Sequence, residues 1–168
     1  MKWIDLAGPI TGDSVYAANV LVARDVGFTL PEINFSTAEY NVGGQLELPV
    51  TAQVENMEAS ITRIGFDAGM GKMLKLERQD FEIRFTQDLT DTNGSVRTVG
   101  CKAFLGLVPK GIPGFDVTLG ERSEIECSYT ALKYRLIVDN KELLNIDKLA
   151  RKCVVDGKDY YQSIDTYL

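Results

Sequence analysis

Apolar and polar residues alternate along much of the central part of the chain, which is the pattern of half-buried β-strands rather than of helices. Over 80–88, Phe81, Ile83 and Phe85 alternate with polar residues. The Asn93-Gly94 pair that follows tolerates positive φ, so a hairpin turn is expected there. The alternation predicts strands over four segments, namely 33–42, 55–66, 80–88 and 96–108.

The segment 124–138 carries an alternation that changes phase part way along. Its apolar residues fall at 125, 127, 129 and 131 and then at 132, 134, 136 and 138. Because side chains alternate strictly between the faces of a strand, this shift predicts a β-bulge near Ala131-Leu132 that restores the buried face. The unbroken strand would span about 50 Å, more than the ~40 Å diameter of a compact chain of this length. We therefore expect it to bend or to overhang the body.

The remaining segments predict short elements joined by turns. Turns are expected at Asp139-Asn140-Lys141 and Asp156-Gly157, with a returning strand over 142–146. Helices are predicted over 68–78 and 158–167. Together these elements favour a single domain over residues 1–168, mainly antiparallel β, of the sandwich or barrel kind, with one or two short α-helices.

The composition of the chain excludes several classes of function. The 168-residue chain has no histidine, which excludes Ser-His-Asp and Cys-His catalysis and histidine-ligated metals. A net charge of −6 without a basic run argues against sequence-specific nucleic-acid binding. Gly8-Pro9 interrupts the N-terminus before a signal peptide can form, and no stretch is apolar enough for a membrane anchor, so we expect synthesis in the cytoplasm. The widely spaced Cys101, Cys127 and Cys153 are expected to be free buried thiols.

Two glycine-containing segments invite a ligand interpretation that their spacing does not support. Gly65–Lys72 has Phe66 where a phosphate-binding loop needs glycine and Met73 where it needs Ser or Thr. Asp91 and Asn93 lack the other ligands of a calcium loop and fit a turn. No metal or cofactor site is expected.

Two further sets of side chains each have a functional and a structural interpretation. Glu124 and Glu126 would stand about 7 Å apart on one strand face, compatible with an inverting glycosidase pair, although a solvated polar face is the more common reason for such a pattern. Tyr160, Tyr161 and Tyr167 form either a binding platform or the packed face of a terminal helix. We expect the structural interpretation of both sets, and hence no catalytic residues.

The last third of the chain, from Glu126 to Leu168, closely resembles the end of the major tail tube proteins of contractile-tailed phages and of phage-tail-like bacteriocins. The shared features are a long strand ending Lys133-Tyr134-Arg135-Leu136, the turn Asp139-Asn140-Lys141 with Glu142-Leu143, then Ile146-Asp147, and Val155-Asp156-Gly157 before a terminal helix. Upstream, NVLV at 19–22, FTLPEI at 28–33 and EYNVGG at 39–44 resemble the first strand, the Leu-Pro step and the strand-ending glycines of the same family.

The resemblance implies a structural protein rather than an enzyme, with no cofactor. It implies homohexameric rings stacked into the hollow inner tube of a virion or bacteriocin tail. The partners would be a contractile sheath, a baseplate or tube initiator, a tape-measure protein and a tail terminator. The alternatives are a monomeric β-sandwich module that binds carbohydrate or protein, and a hydrolase that uses carboxylates alone.

Two surfaces are predicted to serve assembly. The face opposite the apolar residues of the long strand is the candidate lumen wall, where acidic groups would repel DNA phosphates; its residues are Glu124, Glu126, Ser128 and Thr130. A flexible glycine loop is the candidate contact between subunits or rings; its residues are Asn41, Val42, Gly43, Gly44, Gln45, Leu46 and Leu48. Strands over 33–42, 55–64, 96–108 and 124–136 are expected to supply sheets that close between neighbours.

Overall fold

The computed structural model of the protein describes residues 4–168. It is built almost entirely from antiparallel strands. They are β1 (Leu6–Ala17), β2 (Val20–Arg24), β3 (Gly27–Thr29), β4 (Phe35–Asn41), β5 (Gln45–Val54), β6 (Met57–Ile64), β7 (Gln79–Thr90), β8 (Val96–Pro109), β9 (Glu124–Val138), β10 (Lys141–Asp147), β11 (Lys152–Val155) and β12 (Lys158–Asp159). Two short helices, α1 (Met70–Leu74) and α2 (Gln162–Asp165), complete the described chain, and neither is long and apolar enough to span a membrane.

The main sheet has the strand order β12-β11-β10-β9-β8-β7-β1-β2, and β6 and β3 extend it from the first half of β9. This extension lies over the inner face of the main sheet. Phe28 of β3 contacts Phe85 of β7 with ring centroids 5.6 Å apart, and Tyr129 contacts Phe81 at 5.5 Å. The apolar faces thus enclose one core, and the predicted mainly antiparallel β fold with two short helices is confirmed.

The predicted bulge in the long strand is confirmed at Leu132. Gly106 of β8 pairs with Lys133 while Leu107 pairs with Ala131, so Leu132 has no partner on β8. The N–H of Lys148 donates to the carbonyl of Leu132 at 3.0 Å. At this point the other edge of β9 changes its partner from β6 to β10. The bulge therefore lets one strand serve both layers.

β4 and β5 form a separate two-stranded hairpin, which we call the arm (Phe35–Val54). The predicted flexible glycine loop, whose residues run from Asn41 to Leu48, is wrong in its extent, because only Val42, Gly43 and Gly44 lie between the two strands. Leu46, Leu48 and Val50 continue an alternation that makes them strand residues. The base of the arm is held to the body by the hydroxyl of Tyr161, which donates to the carbonyl of Ala52 at 2.6 Å.

The predicted strands over 33–42, 55–66, 80–88, 96–108 and 142–146 are confirmed within a few residues, and that over 124–138 has the predicted bounds. β1 was not expected, because Gly8, Pro9 and Gly12 weaken the strand pattern. Pro9 lies where the pairing of β1 with β7 shifts register. NVLV accordingly belongs to β2 and not to the first strand.

Both predicted helices are shorter than expected. α1 covers only Met70–Leu74 of the predicted 68–78, and Lys75 after it is extended. Glycines at 69 and 71 weaken helix formation in this segment. The predicted helix over 158–167 begins instead with β12, and α2 follows over Gln162–Asp165.

Candidate functional site

The first half of β9 separates buried and solvent-facing residues as the alternation requires. Ile125, Cys127, Tyr129 and Ala131 are buried in the core. The four candidate lumen residues lie on the opposite face, where Glu124, Glu126 and Ser128 are exposed and Thr130 is half-buried. β9 therefore presents one polar strip to the outside of the molecule.

β6 widens this strip into a polar face. In the antiparallel register Glu58 lies opposite Thr130, Ser60 opposite Ser128, and Thr62 opposite Glu126, and opposed side chains share a face. Lys110 forms an ion pair with Glu58, and its hydrogen bond lowers the pKa of that carboxyl. The face is acidic on balance.

This acidic face does not form a metal centre. Residues 4–168 contain no group of three or more His, Cys, Asp or Glu side chains that could hold a metal ion. Glu124 and Glu126 are both solvent-facing, and Glu126 lines an open surface depression together with Glu58 and Lys110.

The first half of β9 also has an open backbone edge. On the side facing β8, the last ladder pair is Pro109 with Tyr129, followed by a hydrogen bond from the Lys110 N–H to the Ser128 carbonyl at 3.0 Å. Glu124–Cys127 has no strand partner on that side in the described chain. Unpaired backbone groups of this kind are templates for a strand from another chain.

The tip of the arm, residues 39–49, is exposed on both faces, and in the chain from residue 4 onward neither arm strand pairs with any strand outside the arm. The seven predicted contact residues lie in this tip. Tyr40 opposite Leu46 forms part of an apolar face, while Glu39 opposite Glu47 forms the polar one. Gly43 and Gly44 have φ values of 66° and 147°, which glycine adopts at the least cost.

One exposed apolar segment, the connection between β8 and β9, was not predicted from the sequence. The ring of Phe115 packs edge-to-face against the ring of Phe66, with centroids 5.4 Å apart. Val117 and Leu119 are exposed. The alternation of Phe115, Val117 and Leu119 with polar residues was the signal that could have identified it.

The cysteines and tyrosines have structural roles. All three thiols are free and buried, and burial raises the pKa of each one. Tyr161 packs in the core while Tyr167 is exposed, so the terminal tyrosines form no joint platform. Gly65–Lys72 forms the connection after β6 and the first turn of α1.

Comparisons with known proteins agree with this architecture. The family model of the phage tail tube protein FII matches residues 10–168. No curated protein matches the sequence closely enough to count as a relative.

Two solved structures share the fold. One is a chain of an extracellular contractile injection system, the PVC sheath-tube complex in its extended state; its identity is 17%, the TM-score is 0.51, and the match covers 78% of this chain and 90% of that one. The other is the anti-feeding prophage cap, the AFP tube terminating cap, with 17% identity, a TM-score of 0.54, and coverage of 82% of this chain and 95% of that one. Because the family model spans nearly the whole sequence, the chain belongs to the phage tail tube protein FII family and is a structural tail tube subunit, not an enzyme.

Proposed function

We propose that the whole chain acts as one tail tube domain that polymerises as stacked hexameric rings into the inner tube of a contractile phage tail or tailocin. The observation that carries this proposal is the family match over residues 10–168. Two open backbone surfaces support it, at Glu124–Cys127 of β9 and along both edges of the arm. Such edges favour joining of sheets between neighbouring subunits.

The partners follow from the same proposal. The PVC structure is described as a sheath-tube complex and the AFP structure as a tube terminating cap, so a sheath and a terminator are the partners expected for this subunit. A tube initiator at the baseplate and a tape-measure protein in the lumen complete the set. The assembled subunits would then be part of a tail particle.

The lumen wall in this proposal is the acidic face of β6 and β9. Glu58, Glu124 and Glu126 lie on it with Lys110 as a counter-charge. A negative wall repels the phosphates of nucleic acid, so DNA would slide through instead of binding. The opposite face is buried and is therefore unable to line a channel.

Electron microscopy of the purified protein tests the assembly. Long hollow tubes of uniform width with sixfold symmetry are expected. Dispersed particles at all concentrations and salt conditions would contradict the proposal and favour a monomeric binding module.

Cysteine labelling tests the lumen face separately. Glu126→Cys in assembled tubes should resist a thiol reagent too bulky for the channel, and Lys152→Cys, at an exposed position of β11, serves as the labelling control. Both variants should react rapidly as free subunits. Rapid labelling of Glu126→Cys along the whole tube would place the acidic face on the outside.

A further inference from the structure

The outer face of the main sheet carries a basic row that crosses four strands. Arg24 of β2 lies opposite Ser14 of β1, Ser14 lies opposite Arg84 of β7, and Arg84 lies opposite Lys102 of β8. All three cations are exposed. Glu82, at 2.6 Å from Arg84, is the only carboxylate within ion-pair distance of these three side chains in residues 4–168.

A shallow trough of about 740 Å³ runs beside this row. Gly12 and Gly100, on either side of Thr86, line it together with two cationic residues, Arg84 and Lys102, and two acidic ones, Asp13 and Asp139. A Cβ placed on Gly100 would meet no atom within 4 Å. The trough therefore lies where two positions flanking Thr86, Gly12 and Gly100, lack side chains.

The arm carries the complementary charge pattern. Glu39 and Glu47 lie directly opposite one another on β4 and β5, and neither forms an ion pair within the described chain. Like charges directly opposite each other destabilise a hairpin. Arg84 and Lys102 also lie directly opposite one another, but both carry a positive charge. In each pair the two Cβ atoms are about 5 Å apart.

We propose that this trough receives the arm tip of a second copy of the chain, with Glu39 and Glu47 placed against Arg84 and Lys102. The inference rests on the proposed function, because it requires that subunits assemble. The arm tip of the same chain is exposed and so does not fill the trough. A contact between two different surfaces of identical chains is heterologous, and repeating it yields closed rings or open stacks.

Filling the trough is the first test. Gly100→Leu places a side chain in open space at a position whose φ is not in the left-handed region, so the subunit should remain folded. The critical concentration for tube formation should rise at least about tenfold. Gly71→Leu, which also meets no atom within 4 Å, is the matched control and should polymerise like wild type. Wild-type polymerisation of Gly100→Leu would overturn the proposal.

Charge exchange is the second test. Glu47→Lys and Lys102→Glu should each raise the critical concentration at least about tenfold, and their combination should return it to within about threefold of wild type. Lys152→Glu in place of Lys102→Glu should give no such rescue. If the combined variant behaves as the sum of the two separate changes, the two surfaces do not meet.

If a charge variant fails to fold, cross-linking tests the contact between the arm tip and the trough directly. Gln45 shares the polar face of the arm and Thr86 lies in the trough, so Gln45→Cys/Thr86→Cys should form disulfide-linked ladders in assembled tubes. Absence of ladders in tubes would overturn the proposal. Failure of wild-type protein to form tubes would instead contradict the proposed function itself.

Discussion

Arg63 lies on the inner face of β6, in line with the apolar residues Met57, Ala59 and Ile61, and only 5% of it is exposed. Its guanidinium forms an ion pair with Asp67 and a hydrogen bond to the sulfur of Met73 at 3.7 Å. Asp67 also accepts a hydrogen bond from the Gly69 N–H at 2.9 Å. The pair thus connects β6 to the segment that leads into α1, and it neutralises a buried charge.

Removing the carboxylate should destabilise the subunit. Asp67→Asn leaves Arg63 buried without a counter-charge, a change that costs about 3–5 kcal/mol for a fully buried pair. Because the Asp67 side chain is 56% exposed, water screens part of this loss, and we expect about 1–3 kcal/mol at neutral pH. Denaturant unfolding measures the difference. Asp116→Asn, an exposed carboxylate without an ion-pair partner in residues 4–168, should change little.

The same pair predicts a pH dependence. The hydrogen bond from Arg63 lowers the pKa of Asp67 from its ordinary value of 3.8. A lowered pKa in the folded state means that the stabilisation is present above pH 3.8 and is lost as the pH falls through the folded value. The gap in unfolding free energy between wild type and Asp67→Asn should therefore shrink on acidification below about pH 4. A gap that stays constant down to about pH 2 would contradict this account.

The cysteines should be chemically quiet in the folded subunit. Burial raises the pKa of all three thiols, so little of the reactive thiolate forms near neutral pH. A thiol reagent should react slowly with native protein and with three equivalents after denaturation. Triple replacement by Ala should cost at most a few kcal/mol and leave tube formation intact. Fast labelling of the native subunit, or loss of assembly in a folded triple variant, would contradict this prediction.

At the scale of elements, the bulge at Leu132 controls which residues of β9 are buried. Inserting an alanine between Lys133 and Tyr134 adds a second extra residue, so the side chains from Tyr134 onward would exchange faces and Tyr134 would leave the core. We expect this variant to be unfolded or insoluble, as circular dichroism and soluble yield would measure. Inserting an alanine after Gly114, in the irregular segment between β8 and β9, is the control and should preserve the fold. A natively folded variant with the insertion after Lys133 would contradict the assigned register.

Elements with a clean alternation were predictable from the sequence. β9 has the predicted bounds, and the phase change of its apolar residues predicted the bulge. β1 escaped prediction because its pairing with β7 tolerates Pro9 at a register shift, which local pattern does not reveal. β5 escaped because Gly43-Gly44 and Pro49 gave the segment the appearance of a loop. Both misses concern strands that are defined by a partner strand rather than by their own residues.

The candidate site was predictable only in part. The separation of Glu124 and Glu126 from a buried face follows from alternation alone. The acidic contribution of Glu58 depends on the pairing of β6 with β9, across a sequence separation that no local pattern encodes. The basic row of Arg24, Arg84 and Lys102 likewise needs the register of four strands. Sequence patterns give the faces of single strands, whereas the composition of a sheet face requires the topology.

At the scale of the whole molecule, the arm is the element that contacts with the rest of the chain stabilise least. A two-stranded hairpin is marginally stable by itself in water, and the tip of this arm lacks contacts that would bury either face. Its base is tied to the body through Tyr161 and Ala52. The free energy of opening should therefore rise from near zero at the tip towards that of the core at the base.

Hydrogen exchange should detect the ordering of this arm on assembly. Amides over 38–50 are expected to exchange rapidly in the free subunit, because the tip opens without breaking core contacts, and at least about tenfold more slowly in tubes, where a neighbour covers them. Mass spectrometry of peptides from matched samples measures the change. Peptides from β7, which is paired with β1 and β8 and carries the buried Phe81 and Ile83, should be protected in both states and provide the internal reference. Equal exchange of the arm in free subunits and tubes would mean that the arm is an ordinary surface turn, and slow exchange already in the free subunit would mean that the hairpin needs no partner to order it.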